Sequence, residues 1–251
     1  MDRSSTIGRL LEIISWQGRS VRQYRDRGRG MEDVLTAEVF QALDFLPRAR
    51  CLAAVLGSSS GEASAARAIL VDEAESLRVG AFGDRFYLNP SATNHQARIA
   101  VDPDATIECS EIFCLVEAKR IRAGASFQRE QLAREYFVLT REAGERETCL
   151  LLVLPAHPPV KIKGIQERLR PADVIRRTLP EVYAKAEPHP RALDELLVNA
   201  ERYLLWITWH EIAEIVSREA KEFSTGDRSV DACVRRLART VSASVGRHSS
   251  F

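Results

Sequence analysis

Lysine is scarce in this chain of 251 residues: five lysines stand beside 31 arginines. Long apolar runs are also missing. No stretch approaches the ~18 residues that a membrane-spanning helix needs, so none is expected. The opening "MDRSSTIGRL" has no extended apolar segment of the kind that marks a secretory leader, so a soluble, cytoplasmic protein is expected. The five cysteines (Cys51, Cys109, Cys114, Cys149 and Cys233) contain no CxxC pair, which argues against a structural zinc site and for buried free thiols in a reducing compartment. Net charge is only +1, so any affinity for nucleic acid must come from local patches rather than from a bulk positive field. What remains is an ordinary globular composition, 45% hydrophobic and 28% charged, long enough for one large domain or a domain with a helical appendage.

Three regions follow from the patterning. Residues 1–30 combine a short apolar helix, "IGRLLEIISW", with a basic arm in which Arg22, Arg25, Arg27 and Arg29 surround a single acid, Asp26. The arm is either a phosphate-contacting segment or a solvated linker. Residues 31–165 form the core. "MEDVLTAEVFQALDFLP" reads as a helix stopped near Pro47, with Leu35, Val39, Ala42, Leu43 and Leu46 on one side. At ~100° per residue Glu32 falls near the middle of that stripe and Glu38 at its edge, so Glu32 is expected to point inward. "CLAAVLG" and "RAILVDE" read as strands joined by a mobile loop, "SSSGEASAA", and "ESLRVGAFG" and "RFYLN" are further strand candidates. Which of these opens the central sheet is left undecided by the pattern. A helix is expected over 127–143, followed by "TCLLLVLPA", a strand buried on both faces. Residues 166–251 read as an α-helical C-terminal region, with helices at 171–178, 190–222 and 228–245.

The informative stretch is "VDPDATIECSEIFCLVEAKRI", residues 101–121, a hairpin. In its second strand both faces are apolar, yet Glu117 and Lys119 share one of them. An ion pair buried merely for stability is a poor arrangement, because desolvation often exceeds the attraction. A site explains it better. Carboxylates hold a hard divalent cation, which activates water and neutralises charge growing on a phosphoryl group, and an ammonium assists.

Pro103-Asp104, twelve residues, then Glu117-Ala118-Lys119 resembles the signature of the PD-(D/E)XK, or restriction-endonuclease-like, nuclease superfamily. The resemblance covers about residues 31–155. It implies an α/β fold with a restriction-endonuclease-like core, a mixed central β-sheet flanked by helices, here with an α-helical C-terminal region. It implies Mg²⁺ or Mn²⁺ held by Asp104, Glu117, the Ala118 backbone carbonyl and Glu32, with Lys119 assisting the nucleophile. Gln131 is the best match to a glutamine near the metal, with Gln128 second; Tyr136 lies five residues after Gln131 and does not fit the family's QxxxY spacing. The activity implied is a DNA endonuclease of a restriction, phage-defence, mobile-element or repair system. The alternative is a catalytically silent nucleic-acid-binding or scaffolding subunit of a larger complex. The C-terminal helices would serve as a homodimer or complex interface, and Lys161 and Lys163 join the basic arm as candidate nucleic-acid contacts.

A second E-A-K, Glu219-Ala220-Lys221, has no Pro-Asp upstream at hairpin distance and reads as a solvated helix face. "HEIAE", from His210 to Glu214, lacks the second histidine of a zinc protease and reads as an ordinary helical pair. Trp206 and Trp209 read as packing rather than as a base-stacking platform.

Overall fold

The computed structural model describes residues 30–82, 84–90, 98–121 and 125–249, with the side chains of its first helix described from Asp33 onward. A five-stranded mixed sheet lies between two helical layers. Its strands are β1 (Arg78–Ala81), β4 (Ala105–Glu108), β5 (Ile112–Ala118), β6 (Glu147–Leu154) and β10 (Leu204–Thr208), in that spatial order. β1, β4 and β5 run antiparallel as a meander, whereas β5, β6 and β10 are parallel. β5 and β6 are buried almost end to end, as parallel strands covered on both faces must be.

Alternation along the strands sorts their side chains into two cores. Cys114, Val116, Leu151, Val153, Leu205 and Ile207 face one layer, built from α1 (Gly30–Phe45), α2 (Cys51–Gly57), α3 (Ser64–Asp72), α7 (Trp209–Glu222) and α8 (Arg228–Ser249). Phe113, Leu115, Leu150, Leu152 and Leu204 face the other, built from α4 (Gln131–Glu142), α5 (Pro171–Lys185) and α6 (Leu193–Asn199). A small sheet, β3 (Ile99–Val101), β2 (Phe86–Pro90) and β9 (Ala186–Glu187), and a two-stranded ribbon, β7 (Val160–Lys161) with β8 (Arg168–Leu169), complete the described structure.

The hairpin, the helix after it and the buried strand occur where expected, and β1 is the strand that opens the central sheet. Three expectations are corrected. "CLAAVLG" and "RAILVDE" are the helices α2 and α3 rather than strands. Both segments are short and alanine-rich, and alanine favours the helix whenever one face can be buried. The intervening loop is pinned to the sheet edge: Ser60 and Trp206 exchange backbone hydrogen bonds of 2.8 Å in each direction. The continuous helix expected over 190–222 is divided into α6, a short 3₁₀ turn, strand β10 and α7. Tyr203, Trp206, Ile207 and Thr208 favour an extended chain. Thr208 then starts α7 with a capping box, its hydroxyl accepting from Glu211 N while the Glu211 carboxylate accepts from Thr208 N. The central sheet therefore draws its fifth strand from beyond residue 165. Among the described residues no helix is long and apolar enough to cross a membrane.

Candidate active site

Glu117 and Lys119 project from the C-terminal end of β5 into the layer of α4, on the face that also carries Phe113 and Leu115. Both are buried, at 2% and 7% exposure. The Lys119 ammonium donates to Glu117 Oε1 and lies over the Phe127 ring, 5.0 Å from its centroid. Its backbone is fixed from two sides: Lys119 N donates to Val153 O at 2.8 Å, and the buried Trp209 indole donates to Lys119 O at 2.7 Å. The first residue of α7 is thus tied to Lys119, the residue that follows β5.

Asp104 stands immediately before β4. Its Oδ2 accepts from Ala118 N at 2.7 Å and its carbonyl accepts from Phe82 N at 3.1 Å, so the aspartate is clamped to both neighbouring strands. Phe82 has a left-handed backbone (φ 57°), uncommon for an aromatic residue. Ala118 is fully buried, its side chain in the core opposite to Glu117.

Gln131, at the start of α4, donates through Nε2 to Glu117 Oε1. Gln128 is exposed and engages Gln131 only through its backbone: its N–H donates to Gln131 Oε1 and its carbonyl accepts from Gln131 N. Tyr136 is not part of the site: its hydroxyl donates to Leu196 O at 2.9 Å, inside the packing of α4 against α6.

The residue that sequence reasoning missed is Glu135. It lies one turn beyond Gln131 on α4 and is 2% exposed. The signal was present, because Glu135 falls within the apolar stripe Leu132, Tyr136 and Leu139, where a carboxylate must face the interior. Glu135 and Glu117 are near enough for one carboxyl to hydrogen-bond the other. Burial, then the charge of Glu135, pushes the Glu117 carboxyl well above the usual carboxylate range. Burial pushes Glu135 up to about 7, against the opposing pull of the Glu117 contact and Lys119. While both are ionised, Glu117 Oε2 and Glu135 Oε2 are buried without a donor. A shared proton or a bound cation removes that conflict.

On α1 the acid that senses Lys119 is Asp33, held up at about 6 by burial against the lowering pull of the ammonium. Glu32 is on the same helical turn, but its side chain lies outside the described residues. So do Arg22, Arg25, Arg27 and Arg29. Lys161 and Lys163 are exposed, and their backbones grip Phe127: Phe127 N donates to Lys161 O at 3.0 Å, and Lys163 N to Phe127 O at 2.9 Å.

The chain matches no family model, no curated protein and no solved structure. Its site therefore has to be interpreted on its own geometry. Among the described residues no three His, Cys, Asp or Glu side chains gather as a ready metal cage. Mg²⁺ rarely needs one, since it commonly binds through one or two carboxylates and completes its octahedron with water and substrate phosphate. Hard oxygen donors with unpartnered buried lone pairs, as on Glu117 and Glu135, fit such an ion.

The other candidates keep structural roles. Glu219 pairs with Arg50 at 3.2 Å while Lys221 is exposed, so the second E-A-K is a helix surface. His210 and Glu214 are exposed on α7, Trp209 is core, and Trp206 is half-buried at the sheet edge.

Proposed function

We propose that this chain is a metal-dependent nuclease on a restriction-endonuclease-like core, hydrolysing phosphodiester bonds of DNA. The observation that carries the reading is the convergence of Glu117, Lys119, Gln131 and Glu135 in one buried cluster beside Asp104, with two carboxylate oxygens left unpartnered. Glu117 and Glu135, whose free oxygens are buried together, would hold Mg²⁺ or Mn²⁺, and Asp104, the Ala118 carbonyl and Glu32 join them by resemblance only. When bound, the cation supplies Lewis-acid charge neutralisation and a more acidic water.

The chain's own groups do the rest. Gln131 and Lys119 both hold Glu117 Oε1, which fixes the carboxylate and leaves Oε2 free to take a ligand. Lys119, desolvated and backed by Phe127, offers its ammonium to the attacking water or to charge growing on the phosphoryl oxygens. Its position depends on strand pairing to β6 and on the Trp209 indole, neither of which reorganises easily. Water adds to phosphorus, the P–O bond to the leaving oxygen breaks, and a proton passes from the water to the departing group.

The test is plasmid, single-stranded DNA and RNA cleavage in Mg²⁺, Mn²⁺ or EDTA, with Glu117→Ala and Lys119→Ala alongside. Cleavage in Mg²⁺ that both substitutions abolish is expected. Activity that survives them, or that ignores EDTA, overturns the reading. Duplex binding without cleavage favours the silent scaffolding alternative, in which the Lys119–Glu117 pair is a structural lock.

A further inference from the structure

The helical pair α7–α8 carries a basic groove. It is lined by Lys221 from α7 and by Arg235, Arg236 and Arg239 from α8, over a floor of small residues, Ser217, Ala220, Ala232 and Ala238. All four cations are exposed. No acid lines the groove, and its volume is about 440 Å³.

These four cations lie together in one groove, and no acid is within ion-pair distance of them among the described residues. Several other exposed guanidinium groups are neutralised locally: Arg78 by Glu108, Arg85 by Asp102, Arg177 by Glu167 and Arg191 by Glu195. In the groove none of the four cations pairs with a described acid. The one acid on α8, Asp231, accepts from Thr225 N at 2.8 Å and Thr225 Oγ1 at 2.9 Å, capping the loop before the helix; it attracts Arg235 without forming an ion pair with it. The opposite face of α8 (Val234, Val241, Val245) is buried against α7 and α1, so the helix cannot rotate its arginines elsewhere.

Four cations concentrated on a chain of net charge +1 constitute a local patch of the kind that composition alone could not reveal. Arginine forks match phosphate oxygens bidentately, and a floor of alanine and serine lets a backbone approach closely. The groove also has a fixed relation to the candidate site. α7 begins at Trp209, whose indole holds Lys119, and the groove lies 8 to 12 residues further along that helix. At 1.5 Å per residue this is a rise of about 12–18 Å along α7 from Trp209.

We propose that the α7–α8 groove is a sequence-independent clamp for the phosphate backbone of a DNA duplex flanking the cleavage site. The proposal rests on the nuclease reading for its choice of polyanion. The phosphates would replace the counter-ions that these arginines lack, and strand cleavage would remain the task of the β5 site. Each phosphate neutralised releases about 0.9 of a counter-ion, so the groove's four cations together contribute about 3 to 4 to the slope of log K against log salt.

The experiment measures anisotropy of a fluorescent duplex of about 30 base pairs, in EDTA, between about 50 and 200 mM salt. The full chain is compared with the combined Lys221→Gln, Arg235→Gln, Arg236→Gln, Arg239→Gln variant and with each single substitution. Binding about tenfold or more weaker for the combined variant, a slope shallower by about 3 to 4, and steps of about 0.9 for the singles are expected. The glutamines sit at exposed positions, and unchanged melting temperature verifies that the fold is intact; if the combined variant melts early, the singles still report the slope. Unaltered affinity and slope overturn the clamp. So does a wild type that fails to bind duplex, or that binds anionic phosphatidylserine vesicles through these residues while its duplex binding is indifferent to them. Cleavage plays no part in the readout: a chain that binds through the groove but never cuts retains the clamp and loses the nuclease reading.

Discussion

Glu135→Gln is the sharpest probe of the carboxylate pair. The substitution preserves size and removes one of two negative charges that burial forces together. In the wild type without metal, a carboxyl that titrates at 4.5 when unfolded titrates at about 7 in the native state. A raised acid contributes stability that is fully present below about pH 4.5 and is lost as pH climbs through about 7. The loss is about 3 kcal/mol at most, taking 1.36 kcal/mol per pH unit of displacement. Glutamine does not titrate. In EDTA the variant is therefore expected to match or slightly trail the wild type at pH 5 and to exceed it at pH 8 by about 2–3 kcal/mol, a melting shift of several degrees in a chain this size. Removing the like charge also lets Glu117 ionise more readily, which acts in the same direction. Urea denaturation at the two pH values, read by circular dichroism, measures the difference. Adding Mg²⁺ at pH 8 is expected to raise the stability of the wild type and leave the variant nearly unmoved. A variant that is destabilised equally at both pH values refutes the reasoning, because the Glu135 carboxylate would then be a satisfied structural acceptor.

Tyr136→Phe removes a buried hydroxyl whose partner is Leu196 O, so about 1 kcal/mol of stability should be lost while metal-dependent cleavage stays intact; a loss of cleavage at full folding would return Tyr136 to the site. Gly61→Ala should destabilise by about 2 kcal/mol or more, seen as a lower urea midpoint, since its Cβ would stand 2.2 Å from Leu204 O at a φ of +124°. Gln131→Ala leaves Glu117 with one donor fewer, and cleavage should fall at least about tenfold with the Mg²⁺ requirement shifted upward, measured as initial rate against metal concentration.

The candidate site was half legible in the sequence. Asp104, Glu117 and Lys119 stood out because charge in an otherwise apolar strand is anomalous, and Gln131 followed from its place at a helix start. Glu135 escaped because attention to the apolar residues of α4 passed over the acid embedded among them. Glu32 was singled out on the wheel, yet the described acid that senses Lys119 is its neighbour Asp33, one residue further round the helix. The fold divides in the same way. Strands β5 and β6 declare themselves by length and unbroken burial. The helices α2 and α3 did not, since seven to nine residues with a high alanine content satisfy either period. β10 was hidden by the apolar helix that follows it without a loop. Its boundary was nevertheless written in Thr208-Trp209-His210-Glu211, a capping box that fixes where α7 must begin.

The position of β10 has a consequence for synthesis. Residues 204–208 cover the open side of β6, the longest of the described strands, and Ser60 then bridges to the outer edge of β10. A nascent chain that has emerged only to about residue 200 holds β6 with one hydrogen-bonding edge bare, and its two-sided apolar sequence is a template for any other unpaired strand. The last fifth of the chain thus acts as the seal on the sheet. Fragments that stop before Thr208 should be recovered as aggregates, and β10 with α7 should be among the last elements to gain protection from hydrogen exchange during refolding.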